Sequence, residues 1–229
     1  MEIITIHANS MGPETMRDIE VSTMNITLPG HGDVPLASDY NLPNLSNYLV
    51  DKIGEKEVII IGSSIGGMLA HQIADRINLK ALISIGIPPL SYDVLEGAVL
   101  ENECTSLAYN PDLSEDQMMR LAEVITDVPK GRQVIFDAIK MTDPKTRSGL
   151  MSSIGAGEMR NEREILAALE IPMLFIKCSK DNVINNEKFD NLGFGEVIEM
   201  EGGHILPIEA PKELNKVIND FLSKNQLLS

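Results

Sequence analysis

The chain has 229 residues, of which 43% are hydrophobic, and its formal net charge is −15 at pH 7. A chain of this length and apolar content can bury one sizeable core, so we expect a single folded domain. The strong negative charge argues against partners that are themselves anionic. We therefore expect binding neither to a nucleic acid nor to a membrane surface.

The first residues lack the basic segment and the long apolar run of a signal peptide. No segment reaches the roughly 20 apolar residues of a membrane-spanning helix. Cys104 and Cys178 are far apart along the chain, so a structural disulfide is not expected. These features favour a cytoplasmic protein. No Cys or His spacing is typical of a metal site, and we expect neither a metal nor another cofactor.

Apolar runs and helical periodicity alternate at both ends of the sequence, which is typical of an α/β fold with a mostly parallel sheet flanked by helices. Residues 88–170 contain no strand-like run. We therefore predict a core of residues 1–87 and 171–229, with residues 88–170 inserted as a helical cap. The predicted strands are 2–7, 19–27, 57–61, 81–85, 172–178 and 195–200, and the predicted core helices are 43–53, 65–77 and 211–223.

The most informative motif is Gly62-Ser63-Ser64-Ile65-Gly66, which lies between the predicted strand 57–61 and a predicted helix. A strand, Gly-x-Ser-x-Gly and a helix in succession form the nucleophile elbow of α/β-hydrolases, whose central serine stands on a strained turn. Here that serine is Ser64, and the glycines two residues to either side give its backbone room. Glycine and serine are common in turns, so a chance match has to be weighed against this interpretation.

An acid and then a histidine should follow the serine in an α/β-hydrolase. Of the four histidines, only His71 and His204 come after Ser64. His71 is on the helix that starts at the elbow, about 10 Å from the serine by helical rise, and we expect it to pack there. His204 stands on a glycine-rich loop after the strand at 195–200, from which it can reach inward. We therefore predict His204 as the catalytic base.

The predicted acid is Asp181, in the turn after the strand at 172–178. The carboxyl ends of parallel strands are where α/β sheets place their chemistry. There Asp181 would accept a hydrogen bond from His204 Nδ1 and stabilise the imidazolium. An exposed turn aspartate is the simpler alternative. The rival acid, Asp93, follows the strand at 81–85 after two prolines, and its segment resembles the start of a helix, so Asp181 is preferred.

The loop after the first strand of this fold supplies a backbone N–H to the oxyanion hole. In this sequence that loop begins at Ala8, and Asn9 is the predicted donor. Its partner is the N–H of Ile65, at the start of the elbow helix. The predicted site therefore comprises the catalytic residues Ser64, Asp181 and His204 and the oxyanion residues Ile65 and Asn9.

Taken together, the chain resembles the α/β-hydrolase superfamily over nearly its whole length. It also resembles, more loosely, the α/β-hydrolase type of N-acyl-homoserine lactonase at residues 7–10, 86–90 and 155–166. This second resemblance implies hydrolysis of a lactone or an ester. The motifs that carry the superfamily resemblance, in order and approximate spacing, are His7-Ala8, Leu28-Pro29-Gly30-His31-Gly32, Gly62 to Gly66, Asp181 and Gly203-His204.

The sequence departs from the superfamily pattern in two ways. The usual His-Gly after the first strand is His7-Ala8 here. The sequence also begins at this strand, without the β-hairpin that usually precedes it. We therefore expect the first edge of the sheet to be bare or to pair in a homodimer.

The predicted cap is rich in methionine and has few aromatic residues. Methionine is flexible and polarisable, which suits a pocket for varied apolar chains, although ordinary packing explains each one singly. As a set they favour an aliphatic substrate. The methionines are Met118, Met119, Met141, Met151 and Met159.

We therefore predict a serine hydrolase whose partner is a small-molecule ester or lactone, with N-acyl-homoserine lactones as candidates. The same triad could instead serve a C–C bond hydrolase or a thioesterase. A protein of another class, a ligand sensor with slow turnover, would also retain it.

Overall fold

The computed structural model describes residues 1–36 and 39–228. The strands within these ranges are β1 (Glu2–Ile6), β2 (Met24–Ile26), β3 (Glu57–Ser63), β4 (Asn78–Ile85), β5 (Met173–Cys178) and β6 (Glu196–Met200). They form one sheet in the order β2-β1-β3-β4-β5-β6, and all five neighbouring pairs are parallel. The fold is therefore α/β, as the sequence predicts. The first edge of the sheet is the short β2 and not β1, which has a neighbour on either side.

Helices cover both faces of this sheet. No helix in the described ranges is long and apolar enough to cross a membrane. The helices are α1 (Leu42–Ile53), α2 (Ile65–Ile73), α3 (Glu103–Ala108), α4 (Glu115–Ile125), α5 (Pro129–Lys140), α6 (Lys145–Gly155), α7 (Glu162–Ala167), α8 (Leu206–Glu209) and α9 (Pro211–Lys224).

The central strand β3 is apolar on both faces, as is usual for a parallel sheet between two helical layers. All of its residues after Glu57 are buried. Because successive side chains of a strand point to opposite faces, Ile60 joins the cluster formed with α1 and α2. Ile59 and Ile61 join the cluster formed with α9. The carboxyl end of β3, where the elbow begins, is therefore fixed from both sides.

Residues 88–170 lie between β4 and β5 and are all described. They contain the five helices α3 to α7 and no strand of the sheet. Two isolated bridges connect this insertion to the remainder of the chain, Thr142 with His31 and Val99 with Ile184. Both bridges lie near the carboxyl edge of the sheet, so the insertion is attached close to the predicted site.

The predicted strand at 19–27 is wrong over its first part, because only Met24–Ile26 forms a strand. Residues before it form successive turns, in which the N–H of Ser22 donates to the carbonyl of Ile19. The side chain of Asn215 on α9 also accepts from the N–H of Glu20 at 3.0 Å. This long-range contact uses a backbone group that a strand would need for pairing.

The sequence predicts the elbow helix over 65–77, but the helix ends at Ile73. The next residues form a tight turn, in which the N–H of Arg76 donates to the carbonyl of Ile73. This turn lets β4 begin at Asn78, opposite Glu57 of β3, rather than at residue 81. The longer pairing with β3 therefore replaces the last turn of the predicted helix.

Candidate active site

Ser64 stands on the strained turn that the sequence predicts, with φ +52° and ψ −119°. Its N–H donates to the carbonyl of Ile85 at 2.8 Å, which fixes the turn to β4. A Cβ on Gly62 would lie 2.5 Å from the backbone of Gly66. A Cβ on Gly66 would in turn overlap the carbonyl of Ile6 on β1. Glycine is therefore required at both positions, because any side chain would push the elbow away from the sheet.

His204 follows β6 and reaches Ser64 from the far side of the site. Its Nε2 lies 2.9 Å from Ser64 Oγ, and its side chain is 3% exposed. Behind the ring is Gly86, which has φ +66° and whose hypothetical Cβ would lie 3.3 Å from His204 Nδ1. The backbone after β4 therefore packs directly against the imidazole and limits its orientation.

Asp181 follows β5 and binds the other nitrogen of the same ring. Its Oδ2 lies 2.8 Å from His204 Nδ1, and its carboxylate is fully buried. Its Oδ1 also accepts from the backbone N–H groups of Val183 and Ile184, at 2.8 and 2.9 Å. These donors hold the carboxylate in place. With Nδ1–H donating to Asp181, His204 Nε2 is free to accept the proton of Ser64 Oγ.

The rival acid does not approach the histidine. Asp93 is exposed, and its carboxylate accepts a hydrogen bond from the nearby hydroxyl of Ser91. That local hydrogen bond lowers its pKa. Of the two aspartates considered from the sequence, the structure brings only Asp181 together with His204.

Asn9 and Ile65 both border the cavity onto which Ser64 opens. No described residue accepts a hydrogen bond from the backbone N–H of either one. The side-chain Oδ1 of Asn9 accepts from the hydroxyl of Tyr40 at 3.1 Å, which anchors the loop. Two unpaired N–H groups beside a nucleophilic oxygen are the elements of an oxyanion hole.

Two buried histidines hold this loop in place, a role that the sequence analysis did not predict. His7 donates from Nδ1 to the carbonyl of Ala8 at 2.8 Å and accepts at Nε2 from the N–H of Leu28 at 3.0 Å. His31 accepts at Nε2 from the N–H of Ser10 at 3.1 Å. The loops after β1 and β2 are therefore connected on both sides of Asn9. The sequence shows one histidine at each loop, but only the folded structure shows that each histidine binds the backbone of the other loop.

Burial keeps both of these rings neutral. It lowers the pKa of His7 to about 3, with the nearby His31 as a second cause. It also lowers the pKa of His31 to about 4, partly opposed by hydrogen bonds to Pro29 and Leu28. A neutral ring can accept at one nitrogen and donate at the other, as both rings do here.

A cavity of about 470 Å³ lies above Ser64, between the core and the insertion. Among the described residues that line it, Glu101 is the only one with a charged side chain. Burial raises the pKa of Tyr109, one of its polar lining residues, to about 12, so its hydroxyl is protonated. The remaining wall is chiefly aliphatic: Ile65, Met68, Ile87, Leu90, Leu95, Val99, Leu100, Leu150, Met151, Ile154 and Ile184.

The methionines of the insertion contribute little to the wall of this cavity. Of the five methionines of the insertion, only Met151 borders this cavity. Met159 is buried in the core and Met141 is 58% exposed. Leucine, isoleucine and valine form most of the wall instead. Their positions depend on how five short helices pack, which composition does not reveal.

In the described part of the chain, no three His, Cys, Asp or Glu side chains gather in the way that a metal ion would require. The groups that the structure gathers at this site are the side chains of Ser64, His204 and Asp181 and the N–H groups of Asn9 and Ile65. Such a set can transfer an acyl group to a serine and then to water.

Comparison with known families supports this interpretation of the fold. The chain matches the model of the alpha/beta hydrolase family over residues 7–217. The protein belongs to the alpha/beta hydrolase family. No curated protein sequence matches it.

Solved structures share the fold at low sequence identity. The N-acyl homoserine lactonase AidH, complexed with N-butanoyl homoserine, is 20% identical, with a TM-score of 0.84 over 99% of this chain and 90% of that one. The esterase RhEst1 from Rhodococcus sp. ECU1013 is 18% identical, with a TM-score of 0.75 over 97% and 90%. A bromoperoxidase from Bacillus anthracis is also 18% identical, with a TM-score of 0.74 over 96% and 91%. Because these proteins differ in chemistry, the fold alone does not select a reaction.

Proposed function

We propose that the protein is a serine hydrolase that cleaves a carboxylic ester or lactone. The observation that carries the proposal is the continuous contact from Ser64 Oγ to His204 Nε2 at 2.9 Å and from His204 Nδ1 to Asp181 at 2.8 Å. This is the geometry by which a histidine activates a serine and a carboxylate orients the histidine. Ser64 is the nucleophile, His204 the general base and acid, and Asp181 the orienting acid.

In the proposed acylation step, Ser64 Oγ attacks the substrate carbonyl carbon while His204 Nε2 takes the hydroxyl proton. The negative charge moves to the carbonyl oxygen, where the N–H groups of Ile65 and Asn9 receive it. Removing one such donor typically raises the barrier by about 3 kcal/mol. Asp181 stabilises the imidazolium that forms. His204 then gives its proton to the leaving alkoxide oxygen as the carbon–oxygen bond breaks.

Water completes the cycle by the same route. His204 takes a proton from a water molecule, whose oxygen attacks the acyl group on Ser64, and then returns the proton to Ser64 Oγ. The products are a carboxylic acid and an alcohol. With a lactone the leaving oxygen stays tethered to the acyl group, so a single hydroxy acid is released after deacylation.

The cavity supports a neutral substrate with an aliphatic acyl chain. Its wall is mainly aliphatic and its one charged lining residue, Glu101, would repel an anion. N-acyl-homoserine lactones are the leading candidates, since they are uncharged and carry such a chain. The structural similarity to a lactonase and the looser sequence resemblance support this ranking.

The test is a panel of p-nitrophenyl esters, N-acyl-homoserine lactones, acyl-CoA thioesters and a diketone, measured as kcat/KM. We expect ester and lactone turnover that disappears in Ser64→Ala. Ser63→Ala is the matched control, because its buried hydroxyl is adjacent yet has no hydrogen-bond partner among the described residues. Brisk thioester or diketone cleavage without ester or lactone turnover would move the protein to one of those classes. Covalent labelling with negligible turnover of every substrate would favour a ligand sensor.

A further inference from the structure

A second buried cluster of polar side chains lies behind the proposed catalytic site and has no part in the mechanism above. It joins His71 on α2 to Glu162, the first residue of α7 in the insertion. Their side chains are fully buried, and His71 Nδ1 lies 3.0 Å from Glu162 Oε2. Two ionisable side chains so placed are costly to bury unless every polar atom has a partner.

The hydrogen-bond partner of His71 Nε2 defines whether that nitrogen carries a proton. His71 Nε2 lies 3.1 Å from the hydroxyl oxygen of Ser84. That hydroxyl has a single proton, which it donates to the carbonyl of Ile87 at 2.9 Å. Ser84 can therefore only accept from His71, so Nε2 must carry a proton.

The remaining polar contacts of the pair involve Glu162. Its oxygens accept from the side-chain amide of Gln72 at 2.7 Å and from the backbone N–H of Leu90 at 2.9 Å. One proton between His71 Nδ1 and Glu162 Oε2 completes the contact between the two side chains. Each polar atom of both side chains therefore has a hydrogen-bond partner, which offsets the cost of burying the pair.

This pair fixes the segment that leaves β4 and enters the insertion. Leu90 is bound to Glu162 twice, because the N–H of Glu162 also donates to the carbonyl of Leu90 at 2.9 Å. Ile87 is fixed through Ser84, and Gly86 packs against the ring of His204. Ile87 and Leu90 both line the cavity beside Ser64. Both ends of the insertion are thus attached to the helix that begins at the nucleophile.

We propose that the buried pair His71–Glu162 is a positioning pair that sets the distance of the acyl-pocket wall, at Ile87 and Leu90, from Ser64. The proposal rests on the function proposed above, since it assumes that the cavity holds the acyl chain. A wall displaced by about 1 Å can reduce turnover on the order of 10²-fold when a substrate must be held close to the reacting atoms. Neither residue touches the reacting atoms.

The first test reads the protonation of His71 by nitrogen-15 NMR of the imidazole side chains, assigned with a His71→Gln variant. Because it needs no substrate, it stands even if the proposed function fails. We expect Nε2 of His71 to carry a proton, since Ser84 can only accept there. An unprotonated Nε2 would show that the contact through Ser84 to Ile87 is absent and would overturn the proposal.

The second test measures the rates at which alkyl fluorophosphonates with a short and a long chain label Ser64. In Glu162→Gln the side-chain NH2 group replaces one of the two carboxylate oxygens. It then faces a hydrogen-bond donor instead of accepting from it, so the wall at Ile87 and Leu90 should move relative to Ser64. We expect labelling by the long-chain probe to slow at least about tenfold relative to the short-chain probe. Equal slowing of both probes, or no change in either, would contradict a positioning role.

Two further variants make this comparison specific. Asp75→Asn removes the surface pair between Asp75 and Arg160, whose side chains are 37% and 42% exposed, and should leave the chain-length preference unchanged. Glu162→Asp retains the carboxylate and replaces the glutamine variant if that variant does not fold. If Glu162→Gln folds, we expect Glu162→Asp to label faster than Glu162→Gln with the long-chain probe. If Glu162→Gln does not fold, we expect Glu162→Asp to show part of the loss relative to the wild type. An unlabelled wild-type protein would refute the proposed function, whereas a labelled wild type with unchanged variants would refute the positioning pair.

Discussion

The imidazole rings of His7 and His31 lie against each other with their centroids 4.8 Å apart, and both side chains are fully buried. Each ring accepts a backbone N–H from the opposite loop, His7 from Leu28 and His31 from Ser10. A proton added to either ring would abolish the acceptor and bury a charge beside the other ring. The loop that presents Asn9 therefore depends on two histidines staying neutral.

We expect the two neutral histidines to make the folded protein less stable in mild acid. The pKa values are lowered from 6.5 to about 3 for His7 and about 4 for His31, so below pH 6.5 the unfolded chain binds protons that the folded chain does not. The free energy of unfolding should decrease as the pH falls from about 6.5 to 4, by up to about 1.4 kcal/mol per pH unit for each histidine. Urea unfolding at a series of pH values measures it. His31→Gln should unfold with a shallower dependence, and an identical slope would contradict the assignment.

Ser64→Ala should give a folded protein without activity, whereas Ser63→Ala should retain most of its activity. Only Ser64 occupies the turn with positive φ and contacts His204. Circular dichroism establishes folding, and ester turnover with covalent serine labelling establishes function. Equal loss in two folded variants would place the nucleophile elsewhere.

Asp181 and His204 should act as one unit with Ser64. Removal of any one should reduce turnover by at least about 10³-fold, and double variants should lose little more than single ones. Asp93→Asn, in contrast, should have a mild effect because that carboxylate is exposed and bound to Ser91. The kcat values of the single and double variants give the comparison. A severe Asp93→Asn beside a mild Asp181→Asn would reverse the assignment of the acid.

Tyr40→Phe should lower kcat with little change in KM. The lost hydroxyl donates to Asn9 Oδ1 at 3.1 Å, so its removal frees the loop that offers the Asn9 N–H to the oxyanion. A neutral hydrogen bond of this kind contributes about 1 kcal/mol, which corresponds to roughly a fivefold decrease in rate if it is lost only in the transition state. Steady-state kinetics on one ester suffices. A rise in KM alone would indicate that Tyr40 serves substrate binding instead.

The acyl-chain length of the substrate should determine kcat/KM until the cavity is full. Each added methylene should improve binding by up to about 0.8 kcal/mol. The measurement is kcat/KM for N-acyl-homoserine lactones of increasing chain length, beside p-nitrophenyl esters and acyl-CoA. A flat series would show that the acyl chain lies outside the cavity, and an absence of lactone turnover would end the lactonase interpretation without affecting the triad.

The positions of Ser64, Asp181 and His204 could be predicted because each lies shortly after the end of a strand of the parallel sheet. Strand ends are local features of a sequence, and a parallel sheet gathers them at one edge. The roles of His7, His31 and His71 could not be predicted, since each depends on partners far away along the chain. The shortened β2 has the same cause, a contact with Asn215 nearly 200 residues later. The aliphatic wall depends on the packing of α3 and α6, which periodicity alone does not determine.

The proposed nucleophile stands at the end of β3, but its proposed acid and base follow β5 and β6, the last strands of the sheet in chain order. A chain folded only through its first four strands would carry Ser64 with neither Asp181 nor His204 beside it. During refolding, reactivity toward a covalent serine label should therefore appear after most of the sheet has formed. If the triad is as proposed, the order of the elements would leave a half-assembled molecule chemically inert, and the appearance of that reactivity would mark the docking of the final edge strand.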